Sequence, residues 1–206
     1  MRLDDPRATV SSSVSQRAAA CRNFSGQSDL WTFVALLALA VVGRWAQPAW
    51  HFTPLAAVTA WGGFTFRHWA PAALLPIAAL AISDLRLPSH DHGGVMATVY
   101  AMTALPWLLG RAARGGSLKR QVACWGMCGL LPATAFFLVT NFAVWAFQSA
   151  WEPTWQGLLE CYAAGIPFYR TMLAGDLCYL SLLAGCWLAA NGERRKLAEA
   201  AIRLRD

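Results

Sequence analysis

Apolar residues in this chain fall into long unbroken runs separated by short polar or basic clusters, with no strict alternation and few narrow amphipathic stripes. Runs that are apolar on every side belong to segments surrounded by lipid or by other apolar helices. Crossing about 30 Å of hydrocarbon at 1.5 Å per helical residue takes about 20 residues, and lipid admits only helices or closed barrels. The pattern predicts helices over residues 30–43, 53–66, 69–84, 93–110, 121–147 and 171–190. The expected fold class is all-α: a polytopic membrane helix bundle with about six transmembrane helices and a short amphipathic or re-entrant segment before the last one.

Proline and glycine refine the boundaries. The first run is short, and Arg44 and Trp45 close it, so the Arg44 side chain snorkels to the interface. In the third run Pro71 suits a helix start and Pro76 implies a kink. Residues 121–151 form a stretch of 31 without an acidic or basic side chain, interrupted by Pro132. No turn signal follows that proline, so the stretch reads as one long, tilted and kinked helix to Phe147 rather than a hairpin. Residues 152–168, opened by Pro153 and closed by Pro167, read as the amphipathic or re-entrant segment. The domain reading is a disordered cytoplasmic tail over 1–28, a six-helix transmembrane domain over 29–191, and a basic cytoplasmic tail over 192–206.

Composition supports a membrane location. Of the 206 residues 57% are hydrophobic and 14% charged, against about 25% charged in soluble domains. The net charge of +6 comes from Lys and Arg at segment ends, with no basic stripe of the kind that reads bases, so nucleic acid is excluded as a partner. Alternate loops and tails carry 14 Lys and Arg on one side and only Arg44, Arg86 and Arg170 on the other. By the positive-inside bias both termini are cytoplasmic, at the bacterial inner membrane. Cys124, Cys128, Cys161, Cys178 and Cys186 lie in apolar surroundings and act as small hydrophobes.

The candidate chemistry lies on the far face. Ionisable groups in or beside a bilayer face a cavity or a partner, which singles out Asp84 and Asp176. Each has two readings: a ligand group, or one half of an ion pair, for Asp176 with Arg44 or Arg170. His90 and His92, flanking Asp91, have the spacing of a small metal loop, against the plainer reading of a solvated turn before the fourth helix. Cys124 and Cys128 share a helix face beside Gly126 and Gly129, where close helix packing explains them better than redox chemistry. Trp45, Trp50, Trp145, Trp151 and Trp155 fall at the outer boundary, as interfacial anchors or as walls of a small-molecule cavity. Asn141 needs hydrogen bonds from a helix or a ligand at its depth. No phosphate loop, GxSxG or HExxH motif is present, so an enzyme is not expected.

The stretches HFTPLAAVTAWGG, ISDL, FFLVTNFAVW and GLLECYAAGIPFYRTMLAGDLCY resemble a group of bacterial multi-pass membrane proteins labelled as transport proteins. That group is similar in plan to the substrate-binding S components of energy-coupling-factor transporters. The resemblance implies a six-helix protein that holds a vitamin- or metabolite-like solute near the outer face, beside energising transporter subunits and without a cofactor. The residues expected to line or gate the cavity are Arg44, Asp84, Asn141, Trp145, Tyr162, Arg170 and Asp176. Two other readings stand beside it: a structural or accessory membrane protein whose buried polar groups only fix helix packing, and an outer-face metal-binding transporter or metal-dependent membrane enzyme using His90, Asp91 and His92.

Overall fold

The computed structural model describes residues 27–47, 49, 51–87, 92–114 and 117–203, and they contain helices and connecting turns with no strand among them. The helices are α1 (Gln27–Trp45), α2 (Leu55–Thr65), α3 (Trp69–Asp84), α4 (Gly93–Met102), α5 (Ala104–Ala113), α6 (Leu118–Phe147) and α7 (Trp155–Arg203). Two compact units are present, Met1–Ala35 and Leu36–Asp206. In the first, the described residues form the opening turns of α1, where the Thr32 hydroxyl donates to the Ser28 carbonyl. All elements after α1 belong to the second.

Among the described residues three helical stretches are long and apolar enough to cross a membrane: α1, the 21-residue stretch Gly93–Ala113 that joins α4 to α5, and α6. The expected helix over 93–110 is broken at Thr103, which ends α4 and opens α5. Its cause lies three residues on, because Pro106 has no N–H to offer the Met102 carbonyl. The two prolines inside α6 and α7 act differently. Pro132 lies within α6, which runs unbroken for 30 residues, so the single-helix reading of this stretch holds. Pro167 likewise lies within α7. That corrects the expectation of a separate amphipathic or re-entrant segment over 152–168: from Trp155 onward the backbone is one helix of 49 residues. A proline removes only one ladder hydrogen bond, and packed neighbours in a bundle hold such a helix together. At 1.5 Å per residue α7 is about 73 Å long, more than twice the hydrocarbon thickness.

Small residues set the tightest contacts. A Cβ placed on Gly110 of α5 would fall on the backbone of Ala60 in α2, and one on Gly63 would fall on the Trp107 carbonyl. The two helices therefore cross backbone to backbone. Around that crossing Ala57, Ala60, Cys128 and Leu180 form a buried core, with Leu109, Trp125, Tyr179 and Leu183 packed on it. Gly129 lies against Leu177 of α7, whereas Gly126 faces open space, so only one of the two α6 glycines serves packing. Large apolar side chains such as Leu130, Leu138, Phe142, Leu159, Ile166 and Leu182 are exposed on the outside. Such a surface suits lipid rather than water.

The helix ends sort into two groups. At one end meet the C-termini of α1, α3 and α6 and the N-termini of α2 and α4: Gly43 abuts Pro54, the Trp45 indole donates to the Ser83 carbonyl, and the His92 ring stacks on Phe147 at 5.3 Å. At the other, Arg114 after α5 donates to the Thr65 and Phe66 carbonyls and so closes the C-terminus of α2. Arg120 at the start of α6 donates to the Arg114 carbonyl.

Candidate functional site

The first end of the bundle holds an ion pair. Arg44, on the last turn of α1, donates from Nη2 to Oδ1 of Asp84, the last residue of α3, at 2.9 Å. The Tyr100 hydroxyl on α4 donates to the other carboxylate oxygen at 3.3 Å. Both charged side chains are mostly buried. Next to them Ser83 is fully buried, its hydroxyl donating to the Ala79 carbonyl at 2.6 Å. The Arg86 guanidinium lies over the Trp45 ring at 5.5 Å. Three helices are thus tied by charge-assisted and aromatic contacts around one carboxylate.

Beside this cluster lies a cavity of about 310 Å³, lined by residues from α1 through α7. Arg44 of α1, Thr59 of α2, Asp84 of α3, Met102 of α4, Thr103, Pro132 and Phe136 of α6, and Met172 and Asp176 of α7 are among its lining residues. Gln47 and His51, which follow α1, also line it. His51 takes a left-handed φ of 65° and its N–H donates to the Gln47 side chain. Histidine is among the residues that tolerate this conformation.

Asp176 is 4% exposed. At Gly175 α7 comes close to the backbone of Phe52 and Thr53, where an added Cβ would sit 3.2 Å from both, and Asp176 beside it lines the cavity. No described residue donates a hydrogen bond to its carboxylate or forms an ion pair with it. Of the two readings of Asp176, the ion pair with Arg44 or Arg170 is not formed among the described residues, and Arg44 is held by Asp84 instead.

A second cavity of about 340 Å³ adjoins the first and shares His51, Val99, Phe136 and Met172 with it. Asn141 lines this one. Its amide donates to the Phe137 carbonyl one turn back, so the helix itself meets part of the need that singled this residue out. Trp145, Tyr162 and Arg170 line neither of the two cavities. The Trp145 indole donates to the Glu152 carbonyl, the Tyr162 hydroxyl donates to the Leu138 carbonyl, and Arg170 sits on an exposed face of α7. These contacts fasten the α6–α7 connection.

Of the metal-loop residues, His90 and Asp91 lie outside the described residues. His92 caps α4, its Nδ1 accepting from the Gly94 N–H at 3.0 Å. Among the described residues no group of three His, Cys, Asp or Glu side chains could hold a metal ion.

Thr59, Thr103, Phe136 and Met172 line the cavity without carrying a signal in charge or hydropathy. Thr59 is fully buried and its hydroxyl donates to the Leu55 carbonyl, leaving its oxygen free to accept. Met172 could have been found, since it precedes Asp176 by four residues and so shares its helix face.

Cutting the ion pair tests the wall. Arg44→Ala strands a mostly buried carboxylate and should lower unfolding stability in detergent by about 2 kcal/mol. Asp84→Ala should do the same, and the double variant should lose less than the sum of the two. Strict additivity in that cycle would mean that the pair contributes nothing.

Residues 24–199 match a family of unknown function, DUF6580. No curated protein matches the chain, nor does any solved structure.

Proposed function

We propose, for a chain that belongs to the DUF6580 family, that it is a six-span protein of the bacterial inner membrane which binds a small solute from the outside and passes it inward beside energising partner subunits. The observation that carries this reading is the cavity of about 310 Å³ with Asp176 unpartnered in its wall. Small-molecule sites combine largely apolar walls with a few placed polar groups, and this cavity has that make-up. A plan resembling the S components of energy-coupling-factor transporters fits the same picture.

The six spans are α1, α2, α3, the α4–α5 run, α6 and the middle of α7. With 11 and 16 residues, α2 and α3 are short, and a locally thin bilayer accommodates them. Arg111, Arg114 and Arg120 belong to the end away from the cavity, which makes that end cytoplasmic by the positive-inside bias and turns the cavity mouth outward. No covalent chemistry is assigned to the site.

Accessibility tests the orientation. In a cysteine-free background, Gln47→Cys should react with a membrane-impermeant maleimide added to intact cells, and Arg120→Cys only after permeabilisation. The reverse pattern would overturn an outward-facing site.

A further inference from the structure

Within the solute-binding reading just proposed, we infer that the ligand is an organic cation, a compound whose protonated nitrogen is held by Asp176 and whose body is small and apolar. The inference rests on charge matching in the first cavity. Besides His51, whose ring packs edge-on against Phe168, three ionisable side chains of the described residues line it, and two cancel: Arg44 is already bonded to Asp84 at 2.9 Å. What remains is one carboxylate, 4% exposed, in contact with the cavity and without a donor from any described residue. A carboxylate so removed from water is costly unless a positive group or several donors face it. Among the described residues none bonds to it, and a cationic occupant would supply what is missing.

The other ligand classes fit less well. An anion would have to displace Asp84 from Arg44 while facing the uncompensated Asp176. An inorganic cation needs several oxygen or nitrogen ligands at once, and no metal-holding group of side chains exists among the described residues. The rest of the wall favours an apolar body, with Leu80, Val99, Met102, Pro106 and Phe136 around the space. Methionine and aromatic walls are soft and adapt to a ligand's outline, and aromatic faces attract cations. As a water occupies about 30 Å³ in the liquid, the cavity takes a compound of on the order of ten non-hydrogen atoms.

The test uses the full-length protein in lipid nanodiscs and three isosteres of that size: phenethylamine, 2-phenylethanol and 3-phenylpropionate. Phenethylamine should raise the unfolding temperature in a concentration-dependent manner, and the alcohol and the carboxylate should not. The shift should disappear in Asp176→Asn and persist in part in Asp176→Glu. A larger shift with the carboxylate or the alcohol, or an undiminished amine shift in Asp176→Asn, would overturn the cation assignment and leave solute binding standing. If none of the three shifts the transition, the compound released from the purified protein on denaturation decides. A cation among the released compounds upholds the inference, an anion or neutral compound overturns it alone, and no released compound overturns both it and the solute-binding reading. Because the isostere comparison is made on the parent protein, it stands even if a variant fails to fold.

Discussion

Gly110→Val should leave almost no folded protein. A Cβ at that position would lie on the Ala60 backbone, and the α2–α5 crossing has no flexible side chain there that could yield. Ordinary overpacking costs about 1–3 kcal/mol; separating two backbones also opens the core around Ala57, Ala60 and Cys128, so a loss above about 4 kcal/mol is expected. Gly126→Ala is the matched control, because its Cβ would meet nothing within 4 Å. Replacing a helical glycine by alanine should stabilise by up to about 1 kcal/mol. The yield of monodisperse protein and its unfolding temperature report both changes. Equal behaviour of the two variants would mean that α2 and α5 do not cross at Gly110.

Asp176→Leu should act in the opposite direction on stability while removing binding. In the solute-free protein an unpartnered carboxylate at 4% exposure is a liability, so exchanging it for an apolar side chain of the same branching shape, beside a cavity that can take the extra volume, should stabilise the fold by about 1–2 kcal/mol. Binding should fall below detection if, as proposed, the Asp176 carboxylate orients the ligand. Sites built for ligands commonly carry such a cost in the empty protein. If Asp176 instead formed a hidden structural pair, the same change would destabilise by about 3–5 kcal/mol. Denaturant unfolding in the absence of ligand separates the two signs.

The helices were legible where charge bounds an apolar run. Helix α3 begins and ends where the pattern placed it, between His68 and Leu85, because polar residues flank it on both sides. Helix α6 could be read as one piece because no turn residues follow Pro132. Continuity at Pro167 was not legible: a proline followed by an apolar run looks the same in sequence whether packing keeps the helix together or not. The break at Thr103 was written in Pro106, but hydropathy alone does not register it.

The site divides in the same way. Arg44, Asp84 and Asp176 stood out as charges bordering or interrupting apolar runs, and all three line one cavity. Which of them pair depends on how α1 docks on α3 across 40 residues of chain, information that no local pattern contains. Arg170 was grouped with Asp176 by proximity, yet six residues are about one and two-thirds helical turns, which places the two side chains about 120° apart. Helical phase would have chosen Met172 instead. Trp145 and Tyr162 were chosen for chemistry suited to a pocket, and the structure uses that chemistry to fasten the α6–α7 connection.

The claim that this cavity holds a solute is tested most directly by mass spectrometry of small molecules released from gently solubilised protein, with Asp176→Ala prepared in parallel. The expected result is a compound, carrying a basic nitrogen, that is stoichiometric in the parent and absent from the variant while both remain folded. The contradicting result is the same empty spectrum from both proteins, which would leave Asp176 without a ligand role and favour a membrane protein whose polar groups serve packing alone.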